Sequence, residues 1–215
     1  MEKPSSKIKP PIIILGNPRS GTSAISAIFD AHGVWNDKIG GRHRFDTSPG
    51  SYCSFEWRSL KRTIKPPRSP LFNGTLPIIS DQKRKQIDAI IRKECPYTKD
   101  WLFKGTPEYF SAFTHLNPRV ILLHREHKNT IASQLKRTGN RGHLTEQEHW
   151  DLLHKRYNLM ENIASEYNGH WINADNILNG NMNELPEIFE AVGLTFNPEK
   201  AENALDKKLW HFKKK

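Results

Sequence analysis

The sequence predicts an α/β fold with a central parallel β-sheet flanked by helices, and two observations carry that expectation. Residues 11 to 23 run a short β-branched stretch straight into a loop of Gly, Pro, Ser and Thr that opens a helix. The strands at 101–104 and 119–123 are built on continuous apolar runs, Trp101 to Phe103 and Val120 to Leu123, rather than alternating ones, as strands covered on both faces are, and helical patterns separate them. At 215 residues the chain suits one domain, large enough for a core without disulfides. It divides into a flexible tail at 1–10 and a single domain at 11–215.

The elements follow in order. Ile12 to Leu15 read as a buried strand, and Ala24, Ile25, Ile28 and Phe29 form a helical stripe ending at Gly33. Gly33-Val34-Trp35 begins a second short strand, and 36–54 form an irregular loop. Its stretch Gly40 to Asp46 mixes glycines with cations and suits an anion-facing flap or, equally, a solvated insertion. Four prolines make 64–79 an extended connector, after which Ser80 and Asp81 cap a helix with Ile87, Ile90 and Ile91 on its apolar side. Strands follow at Trp101 to Lys104 and Arg119 to Leu123. Thr145 and Glu148 form a capping box for a long helix whose stripe is Trp150, Leu153, Tyr157, Met160, Ala164 and Tyr167. Gly169 ends it, His170 to Asn173 form a strand, and a helix with Leu185, Ile188, Phe189 and Val192 runs to Gly193.

Composition narrows the function. The net charge is +10, from 33 Lys and Arg against 23 Asp and Glu, which favours anionic partners. Helix-turn-helix, zinc-finger and aromatic RNA-binding signatures are absent from the sequence, so dedicated nucleic-acid binding is not expected. Cys53 and Cys95 lie far apart, with no C-x-x-C, and read as reduced thiols rather than a disulfide or zinc site. An N-terminus without a signal-peptide core, and the lack of any run long enough to span a membrane, make a cytoplasmic location the default expectation. Oligomeric state is not legible.

The loop carries the chemistry. Gly16 and Gly21 have the spacing of the nucleotide-binding G-x-x-x-x-G-K-[ST] loop, but Thr22 stands where the lysine belongs and Arg19 is the loop's cation. Backbone N–H groups at such a turn, followed by a helix N-terminus, suit anionic oxygens, and the Arg19 fork can hold two of them. A magnesium-dependent kinase also needs an aspartate ending an apolar strand, whereas Val120 to Leu123 runs into His124-Arg125. Arginine in place of metal is the stronger reading, and no metal site is expected.

The segment Gly16-Asn17-Pro18-Arg19-Ser20-Gly21-Thr22-Ser23 resembles the 5′-phosphosulfate loop of sulfotransferases that use 3′-phosphoadenosine 5′-phosphosulfate, Pro-[Arg/Lys]-Ser-Gly-Thr-[Thr/Ser]. Arg125 and Ser133 have the spacing of that family's 3′-phosphate ligands, a strand-end arginine and a serine eight residues on in the next helix. His127 and Asn129 replace the proline and aspartate usual in that turn. Ile172 to Leu178 and the helix ending Gly193-Leu194 are similar to the family's late strand and helix, with Ala174 in place of an aromatic. Lys104-Gly105-Thr106-Pro107-Glu108-Tyr109 is similar to its K-[ST]-P-x-Y segment, with Gly105 as an extra residue.

The resemblance implies a three-layer fold like that of P-loop NTPases and an in-line transfer of a sulfuryl group to a hydroxyl or amine, with no metal required. Pro18, Arg19, Ser20, Gly21, Thr22 and Ser23 would bind the 5′-phosphosulfate, and Arg125 and Ser133 the 3′-phosphate; the product is adenosine 3′,5′-bisphosphate. Arg19, Glu56 and Lys104 are the catalytic candidates, Glu56 as the base, with His43 and Asp46 as alternatives. The acceptor would be a small molecule or carbohydrate, and Arg137 to His143 suits an anionic one. A divergent P-loop kinase and a noncatalytic anion-binding relative are the alternatives.

Overall fold

The computed structural model describes residues 8–36, 57–66, 72–96, 98–138 and 144–205, with the side chains of Arg58, Arg137 and Thr138 excepted. Its centre is a parallel sheet of β1 (Ile12–Leu15), β2 (Leu102–Gly105), β3 (Arg119–His124) and β4 (His170–Asn173), in the order β2-β1-β3-β4. Ile12 lies opposite Leu102 and Arg119, Leu15 opposite Gly105 and Leu122, and His124 opposite Asn173.

Side chains alternate across a strand, so each apolar run feeds two cores. Ile12, Ile14, Leu102, Ile121 and Leu123 pack under α1 (Thr22–Ala31), α6 (Ala174–Leu178), α7 (Leu185–Ala191) and α8 (Pro198–Ala204). Ile13, Leu15, Phe103, Val120 and Leu122 pack against α2 (Arg58–Ile64), α3 (Asp81–Glu94) and α5 (Glu146–Tyr167). The result is the three-layer arrangement with a buried parallel sheet that the unalternating runs imply. Helix α4 (His127–Thr138) follows β3 directly.

Several local expectations change. Gly33 to Trp35 makes one parallel bridge, Trp35 to Trp101, rather than a strand. Immediately beyond it the Asn36 amide donates to Asp30 on α1. The capping box at Thr145 and Glu148 forms, and Ser80 caps α3 through the Lys83 N–H. At the far end of α5 the left-handed residue is Asn168 (φ 50), not Gly169. Gly169 is needed for closeness instead, since a Cβ there would sit 2.7 Å from Leu122 Cδ1.

The buried side of α5 is also broader than the stripe, taking in His149, Leu152, Arg156, Leu159 and Ile163. It packs both on β3 and on the 3-10 turn Pro107–Ala112. There Arg156 donates twice to Glu108 Oε1, at 2.8 and 2.6 Å, and both residues are buried. Removing one partner strands a buried charge, at a cost of about 3–5 kcal/mol. Cys95 is free and buried, and burial pushes its thiol up to about 12, which makes it unreactive.

Candidate anion-binding site at the β1 loop

The loop between β1 and α1 is built on backbone conformations that few residues adopt. Arg19 (φ 71) and Gly21 (φ 90) are left-handed, and Ser20 N–H closes a turn onto Asn17 O at 3.0 Å. Gly16 donates to Gly105 O at 3.1 Å, tying the loop to β2, and a Cβ on Gly16 would fall 2.4 Å from Ser20 Oγ. Gly21 is the N-cap of α1; among the described residues no side chain caps that terminus, and no acid lies in its first turn. The N-terminal partial positive charge of α1 is therefore not answered from within the helix.

Side chains from three other elements converge on this loop. Arg19 Nε donates to Ser133 Oγ on α4 at 3.0 Å. Arg125, just beyond β3, donates from Nη1 to Arg19 O at 2.6 Å and from Nε to Asp175 Oδ1 at 3.2 Å. Gln134 on α4 donates to Pro18 O at 2.8 Å. From the other side Lys104 Nζ on β2 donates to Ser23 Oγ at 2.5 Å. Lys104, Arg125 and Ser133 are all buried, so none is an ordinary solvated surface group. Ser20 Oγ is fully buried, and among the described residues it has no hydrogen-bond partner, a donor under the turn.

Pro18 to Ser23, Lys104, Arg125 and Ser133 thus share one place, the C-terminal end of the sheet, where α/β folds bind ligands. Glu56, His43 and Asp46 lie outside the described residues, as does most of the segment Arg137 to His143. Ala174, fully buried, packs against the loop, its Cβ 3.1 Å from where a Cβ on Gly21 would be. Three contributors escape the sequence reading: Asp175, Gln134 and Tyr157. Asp175 bridges two groups, taking Arg125 Nε on one oxygen and the Glu126 N–H on the other at 2.8 Å. No periodicity signals such a contact, because it joins residues some fifty apart in the chain.

His32 has a structural role. Its Nδ1–H donates to Ile28 O at 2.7 Å, which leaves Nε2 to accept from Asn197 N at 2.9 Å, and it packs between Phe189 and Phe196. His124 ends β3 exposed, beside a cleft of about 400 Å³ that Tyr157, Glu161, Trp171 and Glu184 also line. Among the described residues no group of three or more His, Cys, Asp or Glu could hold a metal ion, and no helix is long and apolar enough to cross a membrane.

Solved structures share this architecture. The sulfotransferase domain from the Synechococcus PCC 7002 olefin synthase superposes with a TM-score of 0.54 at 14% identity, over 98% of this chain and 82% of that one. The sulfotransferase domain from the curacin biosynthetic pathway gives 0.53 at 15% identity, over 90% and 77%. Sulfotransferase STF9 from Mycobacterium avium gives 0.54 at 13% identity, over 92% and 67%. No protein-family model and no curated protein sequence matches the chain. At these identities the likeness is one of fold: the chain has the α/β architecture of the sulfotransferases.

Proposed function

We propose that the protein is a sulfotransferase that takes its sulfuryl group from 3′-phosphoadenosine 5′-phosphosulfate and passes it to an acceptor hydroxyl or amine. The observation that carries this reading is the meeting of two sequence-distant motifs. Arg19 of the loop reaches Ser133, and Arg125 holds the Arg19 carbonyl. A ligand with anionic groups at two separated positions suits such an arrangement better than a single phosphate would. The buried Ser20 Oγ and the α1 N-terminus, neither of them met by a side chain among the described residues, add donors on the loop side.

When bound, such a donor supplies an activated sulfuryl group on a phosphate leaving group. The loop and the α1 N-terminus would carry the 5′ anion, and Arg125 with Ser133 the 3′-phosphate. Arg19 would answer the charge that grows on the departing oxygen, a contribution worth about 3 kcal/mol or roughly a hundredfold in rate. Lys104, fixed on Ser23, lies on the β2 side of the same loop and would assist it. Glu56 is our proposed base for the acceptor's proton, with His43 and Asp46 as alternatives. The acceptor is a small molecule or carbohydrate, in keeping with a chain of net charge +10 when that acceptor is anionic.

The test is transfer of labelled sulfur from the donor to a panel of hydroxyl and amine acceptors, with the wild type beside Glu56→Gln. Transfer that Glu56→Gln abolishes supports the reading and its base. Transfer that survives the substitution moves the base to His43 or Asp46. Binding of the donor with no transfer to any acceptor or to water would instead indicate a noncatalytic anion-binding relative.

A further inference from the structure

We infer that Tyr157 is the positioning residue of the site, a clamp from α5 that sets where the Arg125 guanidinium stands. This rests on the proposed role of Arg125 as a 3′-phosphate ligand and extends it to a residue that the helical pattern assigns to the core. Its hydroxyl accepts the Arg125 N–H at 3.0 Å and donates to the Arg125 carbonyl at 3.1 Å, so one side chain holds both backbone groups of one residue. That residue needs holding, because the β3–β4 ladder ends at His124 and α4 starts at His127.

The clamp is itself rigid. The Tyr157 ring stacks on Trp171 of β4 at 16° and packs against His127 with centroids 4.6 Å apart. Burial raises the phenol above its ordinary value, so the proton it donates to the carbonyl is retained at neutral pH. A phenylalanine could fill the same space but could satisfy neither backbone group. A shift of the guanidinium by a fraction of an ångström would then weaken charge-assisted bonds to a dianion while leaving the core packed.

Calorimetry of the wild type and Tyr157→Phe with adenosine 3′,5′-bisphosphate and adenosine 5′-monophosphate tests this. The expected result is a loss of about tenfold in bisphosphate affinity with monophosphate affinity unchanged, since only the former meets Arg125. Equal weakening of both ligands, or no weakening of either, overturns the inference. A wild type that does not prefer the bisphosphate overturns the functional reading, and this inference with it. Should Tyr157→Phe fail to fold, amide exchange in the wild type decides: a protected Arg125 N–H supports the clamp, and one exchanging at the rate of an open chain refutes it.

Discussion

Two strand-to-helix turns stand side by side at the C-terminal end of the sheet, after β1 and after β3, and they are built in opposite ways. The turn after β1 uses backbone strain. It holds Arg19 and Gly21 in the left-handed region and, among the described residues, leaves α1 without a side-chain cap. The turn after β3 uses side chains. The Arg125 N–H goes to the Tyr157 hydroxyl and the Glu126 N–H to the Asp175 carboxylate. The first turn can present main-chain donors to a ligand, whereas in the second the Arg125 and Glu126 N–H groups are already taken and a guanidinium is offered. The contrast suggests a division of labour: a backbone cradle for one anionic group and a positioned arginine for another.

If that division holds, Arg19→Gly should give the largest effect. Glycine accepts φ 71 without strain, so the melting temperature should hold or rise while the transfer rate falls on the order of a hundredfold or more. A rate within threefold of the wild type would remove the Arg19 side chain from the chemistry. Gly21→Ala comes next and sharpens the backbone side of the contrast. Its φ of 90 and a Cβ 3.1 Å from that of Ala174 should cost about 1–3 kcal/mol of stability, read by denaturant unfolding. An unaffected midpoint would mean that the turn is not strained.

Ser133→Ala probes the other turn's partner and should act more weakly, about 0.5–1.5 kcal/mol or several-fold in bisphosphate affinity by calorimetry. A larger loss than Arg19→Gly produces in the same measurement would invert the assignment of the two turns. The smallest effect concerns pH. Burial first, then the neighbouring His154 and His124, hold His127 at the start of α4 below its ordinary value of 6.5. The unfolded chain therefore takes up a proton that the folded one resists. Stability is fully present above about pH 6.5 and is lost as pH falls through the lowered folded value. Melting temperatures from about pH 7.5 to 5.5 should drop less for His127→Gln than for the wild type. An equal drop would place the dependence elsewhere.

The sheet was legible chiefly because β1 and β3 are built on continuous apolar runs, and the long helix because Thr145 and Glu148 announce it. The loop was legible because Gly16 and Gly21 mark conformations and clearances that other residues do not meet. Arg125 and Ser133 were legible only through their resemblance to the sulfotransferases' 3′-phosphate ligands, since an arginine and a serine eight residues apart carry no signal by themselves. Asp175 and Tyr157 were not legible, since each reaches the site from a part of the chain that only folding brings near, and Gln134, though next to Ser133, finds its partner at Pro18, 116 residues away. Tyr157 is the sharpest case. Its ring belongs to the apolar side of α5, and nothing in a helical pattern shows that its hydroxyl ends at a strand terminus.

Asn168 and Gly169 show the same limit from another side. A glycine after a helix suggests a left-handed cap, yet Asn168 takes that conformation and Gly169 makes room for Leu122. Spacing reports which residues are special but not which of their properties the fold uses.

In the proposed function the loop after β1 and the arginine after β3 together serve a nucleotide with phosphates at both its 3′ and 5′ positions. Thermal shifts of the wild type with adenosine 3′,5′-bisphosphate and with magnesium ATP, at equal concentration, test it most directly. The bisphosphate should raise the melting temperature, Arg125→Ala should abolish the rise, and magnesium ATP should give little or none. A rise with magnesium ATP and none with the bisphosphate would contradict that function and point to a kinase.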